Sequence, residues 1–159
     1  MKYLKWLLLL PVAAFPYLFF VFYWLTHWEP FTRAELGWLV GLAAAVAVLL
    51  TRSRWTGKEL ALANMLIKLI HIPAYVLWFG LGLAMLLFAG PILAFVMDAM
   101  AIALSGLVGL AAVLRCRAGG RLTTRAATVN GILQFVFCAD VFSAVWVFYK
   151  SGKREEHLS

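Results

Sequence analysis

Asn64, Lys68, His71 and Tyr75 follow one another at spacings of four, three and four inside the apolar stretch LALANMLIKLIHIPAY, which begins at Leu60. On a helix those spacings bring all of them to one face. An amide, an ammonium, an imidazole and a phenol on one stripe can exchange hydrogen bonds, pair with acids or pass protons. Two acids stand in apolar surroundings further on, Asp98 and Asp140, together with Ser105, Asn130 and Gln134. An ionised side chain deep in a membrane helix costs at least about 2.5–3.5 kcal/mol on insertion scales, so such groups turn inward and find partners. Lys68 or protonated His71 against Asp98 or Asp140 would meet that need; a lone buried acid would instead keep its proton.

Three uses of this polar seam compete. Taken singly, Asn64, Ser105, Asn130 and Gln134 read as interhelical glue, each hydrogen bond contributing about 0.6–2 kcal/mol. Lys68, His71, Asp98 and Asp140 read as a functional polar pocket or a proton or ion path. In the third reading Lys68 runs its stem to the inner surface and pairs with nothing. Counting about 1.5 Å per residue from the inner helix ends sets Lys68, Gln134 and Ser105 at one depth, and Tyr75, Asp98 and Asp140 deeper.

Other chemistries lack their residues. Cys116 lies in an arginine-rich loop and Cys138 in an apolar run, which argues against a bridge, and no metal-ligand spacing occurs. Ala103-Leu104-Ser105-Gly106 with a distant His71 is a faint match to a serine–histidine dyad of intramembrane proteases, but alanine stands where glycine is needed. Neither aspartate has the glycine-rich surround of intramembrane aspartyl proteases, and no phosphate-binding glycine loop occurs. The expectation is a protein that is not an enzyme, with no cofactor and no metal.

The elements that must position these residues follow from composition. Of 159 residues, 65% are apolar and only 13% charged, where a soluble domain has about 25% charged. The chain therefore reads as all-α, a polytopic membrane helix bundle of about five transmembrane helices. Expected spans are 4–26, 36–51, 60–88, 92–114 and 126–149, forming one bundle domain over 1–149 with a short polar tail over 150–159. In the first, Pro11 and Pro16 should bend the helix, and Trp6, Trp24 and Trp28 suit the two interfaces. Val12-Ala13-Ala14 would also serve as a signal-peptide cleavage site, but the apolar run continues long enough to span. The second span is short, with Gly37, Gly41 and Ala45 as a small-residue face. Pro73 should kink the third, and Ala101, Ser105, Gly109 and Ala112 line one face of the fourth.

Basic residues number 14 against 7 acids, and they lie in loops between apolar runs. That placement excludes nucleic acid as a partner and points to orientation in a bilayer. Nine bases fall on the side of the N-terminus and four on the other, with Lys68 inside a span. The N-terminus is therefore expected to be cytoplasmic in a multi-pass protein of the inner or plasma membrane. The basic tail sits badly with this, because five crossings place it outside. A tail inside would mean four spans plus one re-entrant or interfacial helix, the first or the fifth.

The run Asn64-Met-Leu-Ile-Lys68-Leu-Ile-His71-Ile-Pro-Ala-Tyr75 resembles the signature of a family of small uncharacterised bacterial integral membrane proteins. Asp98 followed by Leu104-Ser105-Gly106-Leu107, and Gly131-Ile-Leu-Gln134-Phe-Val-Phe-Cys138-Ala-Asp140, fit the same pattern. The resemblance covers about Leu60 to Tyr149 and implies a membrane protein without implying an activity. Two functions follow as expectations: a transporter-like or proton/ion-conducting protein, or a non-catalytic scaffold or accessory subunit. The expected partners are the lipid bilayer and either another membrane protein or a second copy of the chain; Gly37/Gly41 and Ser105/Gly109 offer close-approach faces.

Overall fold

Two long helices run antiparallel and form the spine of the protein, and every polar residue of interest hangs on them or on what packs against them. The computed structural model describes residues 4–7, 9–25, 41–43, 45–46, 55–87 and 90–152. Among these the fold is all-α, with helices α1 (Leu4–Leu7), α2 (Leu10–Leu25), α3 (Gly57–Ala84), α4 (Gly90–Ala118), α5 (Thr124–Leu133) and α6 (Ala139–Gly152). Two stretches of helix, Gly57–Ala84 and Ala94–Ala118, are long and apolar enough to cross a membrane. The second expected span, over 36–51, falls mostly outside the described residues. Within it 41–43 and 45–46 are helical, and Leu42, Ala43 and Val46 join a core with Leu9 and Val12.

Helix α3 begins at a capping box. Thr56 Oγ1 accepts from the Glu59 amide at 3.2 Å, and the Glu59 carboxylate accepts from the Thr56 amide at 3.0 Å. Both bonds serve amides that lack a helical partner. The start of α3 lies against the end of α4. A Cβ at Gly57 would stand 2.9 Å from Cys116 Sγ, and Arg115 donates to the Trp55 carbonyl at 3.1 Å. Pro73 is accommodated within α3 rather than ending it.

The helix expected over 126–149 is two helices, and they fold back on each other. Had the chain gone straight on, Asn130 and Ser143 would stand about 20 Å apart at helical rise. Instead Ser143 Oγ donates to Asn130 Oδ1 at 2.8 Å. At the far end of the hairpin Arg121, in the loop before α5, donates to the Ser151 carbonyl at 3.1 Å. Both ends of α5–α6 therefore lie at the basic-loop end of the spine, with Gln134 buried at the turn and residues 135–138 exposed around it. This corrects the reading of 126–149 as a single crossing helix. The physical reason is that Asn130, Gln134 and Ser143 satisfy one another, and Lys68 reaches both the Gln134 carbonyl and Asp140, only when the chain doubles back.

The outward faces of the spine are as apolar as its core. Val76, Phe79, Leu83, Phe95 and Ile92 are all more than half exposed, while Asn64, Lys68 and His71 are fully buried. A contiguous apolar surface of this kind needs a lipid or protein cover.

Candidate functional site: a polar lock at a helix break

Ending a helix inside an apolar bundle leaves carbonyls without amides at one end and amides without carbonyls at the other. It also leaves a partial negative charge at the end of α5 and a partial positive charge at the start of α6. Lys68 and Asp140 answer both. The Lys68 ammonium, entering from α3, stands 3.3 Å from the Gln134 carbonyl at the end of α5. It lies 2.5 Å from Asp140 Oδ2. Asp140 is in the first turn of α6, and its Oδ1 accepts from the Val141 amide at 2.8 Å. Cation meets carbonyl end, anion meets amide end, and the charges neutralise each other. Both side chains have 0% exposure.

A directed chain of hydrogen bonds extends the lock across the hairpin. Asn64 Nδ2 donates to Gln134 Oε1 at 3.0 Å. Gln134 Nε2 donates to Ser143 Oγ at 2.9 Å, and Ser143 donates to Asn130 Oδ1 at 2.8 Å. Asn130 Nδ2 then returns to the Ala126 carbonyl of its own helix at 2.9 Å. The Gln134 side chain fits because α4 offers no side chain at Gly109: a Cβ there would overlap the carboxamide. Gly106 plays the same part for the backbone of the turn, where a Cβ would lie 2.6 Å from the Phe135 ring and 3.1 Å from the Gln134 carbonyl. The small-residue face of α4 thus receives the hairpin tip.

His71 and Tyr75 form a separate contact with α2. Pro16 has no amide, so the Val12 carbonyl four residues earlier has no helical partner. His71 Nε2 lies 3.0 Å from that carbonyl, and since a carbonyl only accepts, Nε2 carries the proton. His71 Nδ1 faces the Tyr75 hydroxyl at 3.5 Å. Trp78 donates to the Pro16 carbonyl at 3.4 Å, and Tyr17 donates to the Ile70 carbonyl at 2.5 Å, three residues before Pro73 of α3. Each proline-disturbed stretch is met by a side chain of the other helix.

Of the residues singled out in the sequence, Asn64, Lys68, Asn130, Gln134 and Asp140 come together, and His71 and Tyr75 stand beside them. Ser105 donates back to the Ala101 carbonyl at 2.7 Å, a bond within its own helix, and also faces the Tyr75 hydroxyl. Asp98 stands apart. It lines a groove with residues of α3, α4 and the hairpin tip, and its buried Oδ1 has no hydrogen-bond partner among the described residues. Ser143 was not singled out, although its position three residues after Asp140 puts it on the same helical face. The Val12 carbonyl was missed too, although a proline four residues on is a legible sign of a freed acceptor.

The turn itself stores strain at Cys138, whose φ is 63°. A side chain in that region costs about 1–2 kcal/mol, which glycine avoids. Cys138 is exposed, so it has little packing to lose. Cys138→Gly is expected to raise stability by about 1 kcal/mol, read as a later midpoint in denaturation from detergent micelles. An earlier midpoint would show that the thiol contributes packing that outweighs the strain.

No family model, curated protein or solved structure matches this chain. The sequence resemblance is therefore carried here only as far as an all-helical bundle with two helices of membrane-spanning length.

Proposed function

We propose that this chain is a multi-pass protein of the cell membrane, N-terminus cytoplasmic, acting as a non-catalytic scaffold or accessory subunit. In this reading four helices cross the bilayer and α5–α6 is a re-entrant hairpin that enters from the cytoplasmic side. The observation that carries it is the lock at the helix break, where Asn64, Lys68, Gln134 and Asp140 are all at 0% exposure and bonded to one another. Irregular backbone at membrane depth is tolerated only where protein satisfies it, and these side chains do that. A return to the inner side also answers the charge pattern. Lys150, Lys153 and Arg154 join the nine inner bases, leaving Arg33 alone outside, as basic residues in short loops favour. The family resemblance over 64–75 fits this reading and supplies no activity. What such a scaffold holds is another membrane protein or a second copy of the chain.

A transporter-like or proton-conducting function is favoured by one feature, the discontinuous helix with a buried ion pair, an arrangement in which transporters hold ions and substrates. The two readings separate in liposomes carrying a pH-sensitive dye under an imposed proton gradient. The scaffold reading expects dissipation no faster than in protein-free liposomes. Dissipation that depends on the protein and disappears in Asp140→Leu/Lys68→Met would overturn it in favour of conduction.

A further inference from the structure

Between the second half of α3, the first half of α4 and the hairpin tip lies a groove of about 870 Å³. That is the size of sites that take drug-sized ligands, for which roughly 300–1,000 Å³ is usual. Its wall is apolar with one exception. Among the described residues of the lining Asp98 is the single charged one, and Phe79, Phe95, Phe135 and Phe137 stand around the same space. The buried cation of the neighbouring lock cannot serve this acid, since Lys68 is bonded to Asp140 and to the Gln134 carbonyl. The buried Asp98 Oδ1 has no hydrogen-bond partner among the described residues. An acid placed in an apolar, membrane-facing groove calls for a cation or donor that the described residues do not supply.

We infer that the Asp98 groove binds a hydrophobic monocation, an alkyl- or arylalkyl-ammonium, with its charged centre at the Asp98 carboxylate and its apolar arms among the phenylalanines. The chemistry is complementary on both counts. A carboxylate attracts the charge in a medium that screens it weakly. Aromatic faces attract an alkylammonium through their quadrupoles, more so when the site is dry. A plain acyl chain would fill the groove but leave the acid unpaired, so it explains the volume and not the residue. The tip of the α5–α6 hairpin supplies Phe135 and Phe137, so the lock positions part of the groove wall. The inference nevertheless goes beyond the scaffold reading and does not depend on it, because Asp98 is not a member of the lock.

The test uses the full chain in maltoside micelles with benzyldimethyldodecylammonium as probe, measured by equilibrium dialysis. A second probe has carbon in place of the ammonium nitrogen. Saturable binding of one ammonium per chain is expected, with the uncharged probe at least tenfold weaker. Asp98→Asn should weaken the ammonium at least tenfold and leave the uncharged probe unchanged. Ala99→Phe, which fills the groove from its exposed lining without touching any charge, should abolish binding of both. Equal affinity for the two probes would show a groove for apolar chains only and overturn the inference, as would Asp98→Asn binding like the parent. Absence of saturable binding would overturn it as well. If Asp98→Asn fails to fold, the two probes and Ala99→Phe still decide the matter, and none of these outcomes bears on the liposome test of the scaffold reading.

Discussion

Lys68→Met is expected to destabilise the protein by about 3–5 kcal/mol, the usual effect of removing one partner of a buried ion pair. The loss comes less from the missing bond than from what remains. Asp140 would be left at 0% exposure with the Val141 amide as its remaining bond, and the Gln134 carbonyl would lose the ammonium. Asp140→Leu should cost a similar amount for the mirrored reason. The double variant Lys68→Met/Asp140→Leu should recover much of that, because replacing a buried pair by apolar groups of similar volume is often neutral or better. Strong positive coupling in this cycle, read from denaturation midpoints in mixed micelles, is therefore the expected result. Additive losses would mean that the two side chains stabilise the hairpin independently, and the lock would then not be a unit. A double variant that folds well yet loses the hairpin, seen as protease access at residues 134–138, would assign the pair to shape more than to stability.

The long helices are legible in the sequence because their apolar runs are longer than a soluble core helix needs and end in capping or basic residues. The polar face of α3 is equally legible from its spacing. The hairpin is not. Residues 126–149 form one apolar run, and the turn sequence Gln134-Phe-Val-Phe-Cys138 contains neither glycine nor proline, the residues that ordinarily announce a turn. Its positive φ at Cys138 is imposed by the contacts that the neighbouring Gln134 and Asp140 make with Lys68, which is far from it in sequence. The same fold-back explains the partner of Lys68. Helical rise along a straight fifth span sets Asp140 deeper than Lys68, beside Tyr75. Reversal of the chain brings it back to the depth of Lys68, and Asp98 is left out of the cluster. His71 met neither acid because Pro16 had already freed a carbonyl within its reach.

The hairpin's dependence on α4 makes Gly109 the position where the smallest change should do the most. Gly109→Ala removes a helix-interior glycine, which by itself would stabilise by about 1 kcal/mol. Against that stands the space: the added methyl would overlap the Gln134 carboxamide. A flexible glutamine could ordinarily swing aside, but this one is held by Asn64 at 3.0 Å and Ser143 at 2.9 Å. Moving it leaves two buried partners unsatisfied, and each such group costs about 1–3 kcal/mol. The net expectation is a loss of about 1–5 kcal/mol, so the clash outweighs the gain in helix propensity. Gly80→Ala supplies the control, since Gly80 lies in α3 with nothing within 4 Å of an added Cβ; there only the propensity gain remains, and stability should rise by up to about 1 kcal/mol. Gly109→Ala combined with Gln134→Ala should remove the overlap and separate the steric part from the loss of the hydrogen-bond chain. If Gly109→Ala proves as benign as Gly80→Ala, the carboxamide is free to move, and the seat of the hairpin tip on α4 is looser than the bonds around Gln134 imply.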